Sequence, residues 1–157
     1  MTIEEFMKRN DVKCKRTVMK WLNEKRIPGV YPDEVTGELI FPEHVRSPYQ
    51  APSNISNDED VIRASIVKAC LAHKYISKES YPKLSQVDYD TYISQLKEVG
   101  YITEKVIDGV VYYYSTTKSN ELRGVSDYKK RKIIAEVIKG AIQLSPPILQ
   151  IIQLFSA

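Results

Sequence analysis

The feature that most constrains this chain is a pair of short helix-length segments near its start, separated by a tight turn and closed by Pro28-Gly29. Thr2 and Glu5 stand at capping-box spacing, and Ile3, Phe6 and Met7 follow as an i, i+3, i+4 apolar stripe, which predicts a helix. Asn10-Asp11 is a turn signal. A second helix is predicted from about Lys15 to Lys25, with Val18, Trp21 and Leu22 on one face and Arg16, Thr17, Lys20 and Asn23 on the other. Pro28-Gly29 stops it. Glu34 to Phe41 then reads as a two-stranded hairpin turning at Thr36-Gly37, with Pro42 blocking further pairing.

Charge is distributed unevenly around this stretch. The whole chain of 157 residues carries a net charge of only +3. Between Lys8 and Arg26, however, eight Lys or Arg face two acids, Asp11 and Glu24, and four acids follow between Asp33 and Glu43. From Asp58 to Val125 nine basic residues meet ten acidic ones, and from Ser126 onward five meet two. Lys and Arg on one helix face neutralise phosphates and release counterions, and Arg16 and Asn23 are residue types that read base edges bidentately. A solvated basic face that touches nothing is the plainer alternative.

Residues 47–57, with two prolines and no periodic apolar pattern, read as a linker. Beyond it Asp58 is an N-cap for a helix carrying Val61, Ile62, Ser65, Ile66, Ala69, Cys70 and His73 at helical spacing. A short segment containing Pro82 precedes a second helix, Asp88 to Val99, which Gly100 ends. Tyr101–Ile107 and Val110–Thr116 are β-rich runs around Asp108-Gly109, a strong hairpin signal. Tyr112, Tyr113 and Tyr114 alternate across the second strand, so Tyr113 points away from its neighbours, and either side is a candidate interface. Ser126 to Gln143 reads as a last long helix, with Pro146-Pro147 as its break and an apolar tail, Ile148–Phe155, after it.

Thr2–Tyr49 resembles the excisionase-like and MerR-type winged helix-turn-helix domains. The resemblance is carried by Ile3-Glu-Glu-Phe, Arg16-Thr-Val-Met-Lys-Trp, Ile27-Pro-Gly and the hairpin ending in Phe41-Pro-Glu, and it covers roughly the first third of the chain. It implies that the second helix enters the DNA major groove, so that Lys13, Lys15, Arg16, Thr17, Lys20, Asn23 and Lys25 face DNA. The chain departs from the pattern at the wing, where Glu34 and Glu38 flank the turn. Residues 60–122 resemble a generic winged helix through Leu96-Lys-Glu-Val-Gly-Tyr-Ile-Thr-Glu and the Asp108-Gly hairpin, but Asp88, Asp90 and Glu98 there outnumber Lys97. A protein-contact role suits that second unit better than DNA reading.

The resulting expectation is a mainly α fold with small β-hairpin wings (α+β). Residues 1–49 form a DNA-binding winged helix-turn-helix, 50–57 a linker, 58–124 a second winged helix, and 125–157 a helical segment. The aliphatic residues of that segment, together with Lys129, Lys130, Arg131 and Lys132, fit assembly with another copy better than a membrane surface. The function read from the sequence is sequence-specific binding of double-stranded DNA, as a transcriptional regulator or excisionase-like factor; a non-DNA-binding interaction adaptor is the alternative. His44 and His73 lie far apart, Cys14 and Cys70 have no ligand partners at metal spacing, and no phosphate loop or nucleophile motif is present. No enzyme, cofactor, metal or membrane span is therefore expected. Cytoplasmic localisation is expected, and Cys14 is read as structural.

Overall fold

The structure, a computed structural model, describes residues 1–156, with side chains described through Ile142. Among the described residues six α-helices and two two-stranded antiparallel hairpins form around two hydrophobic clusters.

The smaller cluster is built from the chain's beginning. Helix α1 (Ile3–Arg9) starts where the Thr2 hydroxyl accepts the Glu5 N–H at 3.2 Å. The expected reciprocal bond from Glu5 to the Thr2 N–H is replaced by the Thr2 hydroxyl itself, 3.4 Å from the Glu5 carboxylate. Ile3 and Phe6 are buried, and Phe6 stacks on Phe41 with ring centroids 4.8 Å apart. Helix α2 (Lys15–Asn23) buries Val18 and rests Trp21 and Leu22 against the same cluster. It ends two residues earlier than expected because Lys25 takes φ +57°, with its N–H on the Leu22 carbonyl at 3.1 Å and the Arg26 N–H on the Trp21 carbonyl at 2.9 Å. That pair of bonds is the Schellman closure, here without glycine.

The first strand of the first hairpin lies upstream of its expected place, while the second falls within it. Strands β1 (Tyr31–Pro32) and β2 (Leu39–Ile40) pair Tyr31 with Ile40 and Pro32 with Leu39. Glu34 and Val35, read from the sequence as strand, belong to the turn instead. The cause is Asp33, whose carboxylate accepts the Val35 N–H at 2.8 Å while its carbonyl accepts the Gly37 N–H at 2.9 Å. An Asp side chain that satisfies nearby backbone donors holds a turn and diverts the backbone from pairing.

The larger cluster begins at α3 (Glu59–Leu71), capped by Asp58. A 3-10 turn (Lys78–Ser80) leads to α4 (Gln86–Glu98), which starts two residues before the expected Asp88 because Ser85 caps it. Arg63 of α3 is almost wholly buried yet fully engaged. It meets the Gln95 amide oxygen at 2.9 Å, Asp60 at 3.1 Å and Glu59 at 3.3 Å. A buried charge persists only when so partnered, and here it fastens α3 to α4. Strands β3 (Ile102–Ile107) and β4 (Val110–Ser115) pair in register from Ile102–Ser115 to Ile107–Val110. Their two-residue turn has Asp108 at φ +52° and Gly109 at φ +78°, the left-handed pair a type I′ hairpin requires. A short α5 (Thr117–Asn120), with a full Thr116–Ser119 capping box, was not anticipated.

Helix α6 (Asp127–Ser156) lays Ile134 and Ile138 into the cluster against α3. It runs on through Pro146-Pro147, against the expectation that they break it. Proline there removes two backbone donors and so weakens the helix locally, which favours a kink but does not require an end. The tail Ile148–Phe155, read above as an assembly element, has its side chains outside the described residues.

The stretch read as a linker is docked along its first half. The Tyr75 N–H donates to Ser47 at 2.8 Å and the Tyr49 N–H to Tyr75 at 2.7 Å, a parallel bridge around Pro48. Ser47 is buried, with its N–H on the Asn10 side chain at 2.9 Å and its hydroxyl accepting from Lys74 at 2.9 Å. Ala51 sits inside the larger cluster. Linker composition concealed this, since nothing periodic marks a chain held by backbone hydrogen bonds.

The tyrosine run lies on the boundary between the two clusters. Tyr113 packs on the helical cluster. Tyr112 instead meets His44 edge-on at 5.2 Å and Tyr75 at 5.3 Å, and Tyr114 lies under the guanidinium of Arg46. The alternation noted in the sequence therefore serves two intramolecular contacts, one on each face of β4.

Candidate functional site

Helix α2 presents the most strongly one-signed exposed face among the described residues. Its opposite face is held by Val18, Trp21 and Leu22 in the smaller cluster, which forces Lys15, Arg16, Lys20 and Asn23 outward by the 3.6-residue period. All four are exposed. Arg16, Lys20 and Asn23 follow one another at i, i+4 and i+7, so their side chains line one stripe.

The remaining candidates lie around this stripe. Lys13 is exposed in the turn before the helix, and Lys25 is exposed in the left-handed residue after it. Thr17 is half-buried at the edge of the stripe rather than within it. Met19, 40% exposed, occupies the centre that Thr17 was expected to share. A helical wheel places residue 19 between 15, 16 and 23, so its position was available from the sequence, but its apolar type hid it.

Not all of the cations counted between Lys8 and Arg26 are free. Arg9 donates to the Glu43 carbonyl at 2.6 Å and its carboxylate at 3.2 Å. Arg26 is buried and donates to the Tyr49 carbonyl at 2.7 Å. Both arginines brace the framework. Lys15 reaches Glu4 at 3.8 Å, a pair in which both side chains are largely exposed and which contributes little. Lys8, Lys13, Arg16, Lys20 and Lys25 have no acidic partner within salt-bridge distance among the described residues.

Cys14 is the N-cap of α2 and is exposed. The backbone N–H groups of Thr17 and Arg16 hold its thiol below the usual cysteine range, as helix N-termini do for a thiolate. Cys70 is its opposite: buried in the larger cluster, with its thiol pushed up to about 12 by desolvation. Among the described residues no group of three His, Cys, Asp or Glu side chains gathers as a metal site would need. No helix there is long and apolar enough to cross a membrane.

The acidic hairpin stands apart from the basic face in sign. Glu34 and Glu38 are exposed on the β1–β2 turn. Helix α4 is also acidic outward, with Asp88, Asp90 and Glu98 exposed and Lys97 engaged by Glu104 at 3.2 Å.

Comparison of the chain with protein-family models, curated proteins and solved structures finds no match.

Proposed function

We propose that this chain binds double-stranded DNA through the exposed face of α2, as a winged helix-turn-helix regulator or excisionase-like factor acting in the cytoplasm. The observation that carries the reading is the set of cations along that face that have no acidic partner, on a helix whose other face is locked in a core. Such a helix keeps its charges desolvation-free and rigidly spaced, and each phosphate it neutralises releases counterions. Arg16, Lys20 and Asn23 lie on one stripe, which suits a helix laid along a groove with Arg16 and Asn23 near base edges. Lys13 and Lys25 flank the helix at its two ends and suit phosphate contacts.

In this reading the β1–β2 hairpin contributes little affinity, because Glu34 and Glu38 repel phosphates. Residues 58–124 act as a second winged helix without a DNA-reading role, and the C-terminal segment assembles copies of the chain. A second reading, an adaptor that binds protein, draws on α4: Val87 is 73% exposed, followed by the exposed acids Asp88 and Asp90, a surface unsuited to DNA.

Selecting duplexes from a random pool with the full-length protein separates the two readings. The proposal expects an enriched motif, and it expects Arg16→Ala with Lys20→Ala to weaken binding and to lower the steepness of its salt dependence by about one per lost phosphate contact. Absence of any enriched motif, or affinity unchanged in the double variant, would move the adaptor to first place.

A further inference from the structure

The β1–β2 turn is built as a rigid acidic prong. Its backbone is closed by the Asp33 carboxylate on the Val35 N–H at 2.8 Å, Gly37 N–H on the Asp33 carbonyl at 2.9 Å, and Asp33 N–H on the Glu38 carbonyl at 2.7 Å. The Thr36 hydroxyl also accepts the Glu38 N–H at 3.3 Å. At its tip stands Val35, 93% exposed, the most exposed large apolar side chain described. Asp33 is consumed in holding the turn, whereas Glu34 and Glu38 have no cation within salt-bridge distance among the described residues.

Elsewhere on the molecule an open groove of about 370 Å³ runs between α3, the start of α6 and the docked segment around Pro52. Tyr49, Ile55, Val61 and Ala64 give it an apolar lining, and Lys130 and Arg131 border it. The groove's other cation, Lys68, is already matched by Asp127 at 3.1 Å. Among the described residues, two cations without an acidic partner within salt-bridge distance therefore flank an apolar slot whose one acid, Asp127, is matched by Lys68, and two acids without a basic partner flank an apolar prong.

We propose that this groove takes the β1–β2 turn of a second copy of the chain, with Val35 in the slot and Glu34 and Glu38 against Lys130 and Arg131. The partner is identified by charge complementarity, two acids for two cations, and by the match of a single exposed aliphatic to an apolar lining. A turn already fixed by its own hydrogen bonds loses little conformational freedom on docking, which favours so small a contact. The prong and the groove are different surfaces, so the contact is heterologous: each copy offers one of each, and association continues head to tail. A patch of this size is far below a standard interface and gives weak, concentration-dependent association. The contact assigns the wing acids a role distinct from DNA and does not depend on DNA binding.

Sedimentation velocity of the full-length protein over a concentration series tests it, with folding of each variant checked by far-UV circular dichroism. Wild type should show a sedimentation coefficient that rises with concentration. Glu34→Lys with Glu38→Lys should weaken this association by about tenfold or more, a change of about 1.4 kcal/mol. Lys130→Glu with Arg131→Glu should do the same, and the chain carrying all four substitutions should recover it because the charges again match. Three results overturn the proposal: no self-association by wild type; association indifferent to either pair, which would place assembly on the C-terminal segment or leave the groove to some other acidic partner; or loss in both pairs without recovery in the fourfold chain.

Discussion

The guanidinium of Arg46 lies 4.1 Å from the centroid of the Tyr114 ring, and its Nη1 reaches the Tyr113 carbonyl at 3.5 Å. One side chain from the segment after the first hairpin thus grips the last strand of the second. Cation–π contacts of this kind contribute roughly 0.5–1 kcal/mol when partly exposed, so the grip is modest by itself and works alongside the Ser47–Tyr75–Tyr49 backbone bonds. Arg46→Ala should speed amide hydrogen exchange at Ser47 and Tyr49, whereas Lys105→Ala, exposed on the same hairpin, should leave both amides unchanged. Equal protection in Arg46→Ala and wild type would refute the role given to Arg46.

Two glycines should respond to alanine with opposite signs. Gly109 sits at φ +78° in the β3–β4 turn, where a Cβ meets open space but the backbone is unfavourable for any L side chain. Gly109→Ala should destabilise by about 1–2 kcal/mol. Gly140, inside α6 and also facing open space, gives no such backbone reason for glycine; Gly140→Ala should stabilise by up to about 1 kcal/mol through helix propensity. Urea midpoints measure both, and a stabilised Gly109→Ala would contradict the turn assignment.

His73 should make the protein more sensitive to mild acid. It closes α3 at φ +57°, and its pKa is lowered first by desolvation and then by the positive charges of Arg46 and Arg123. The folded state therefore prefers the neutral ring. Stability linked to it is fully present above the ordinary histidine value of about 6.5 and is lost as pH falls from there toward the lower folded value. Asn tolerates the left-handed conformation, so His73→Asn should remove this acid-side loss while changing little at neutral pH. Denaturant titrations of both proteins across that window would show the difference; parallel curves would count against it.

The two cysteines should differ sharply toward alkylating reagents. Native protein treated with iodoacetamide at neutral pH should gain one adduct, at Cys14, whose thiol is exposed and whose pKa is lowered by the backbone N–H groups at the start of α2. Cys70 should react only after unfolding. Because Cys14 lies between Lys13 and Lys15, bound duplex should slow the modification, a footprint readable by peptide mass spectrometry. Unchanged labelling in the presence of saturating duplex would argue against α2 as the contact surface.

What was legible in the sequence is what single side chains decide locally. Thr2 and Asp58 announce helix starts by their capping chemistry. Asp108-Gly109 fixes a hairpin, and Gly100 ends α4 at φ +85°. The ends of α1, α2 and α3 use the same left-handed closure at Asp11, Lys25 and His73, residues of which two carry no glycine-like preference, so their boundaries were harder to place. The first strand of the first hairpin was missed because Pro32 argues against a strand and the Asp33 turn is a tertiary-independent but non-hydrophobic signal. The basic face of α2 could be drawn from periodicity alone. That Arg9 and Arg26 are spent on Glu43 and Tyr49 could not, because those bonds join residues 34 and 23 positions apart.

The shared use of β4 also ties both of its faces to one register. Tyr113 faces the helices while Tyr112 and Tyr114 face His44 and Arg46, so a slip of one residue in the β3–β4 pairing would reverse all three rings at once. The contacts of His44 and Arg46 with β4 exist only in the register that the Asp108-Gly109 turn sets. Local pairing across a two-residue turn is fast relative to contacts between distant parts of a chain. The hairpin is then a template whose register must be right before His44 and Arg46 can dock on it, while α2 stays held by its own cluster.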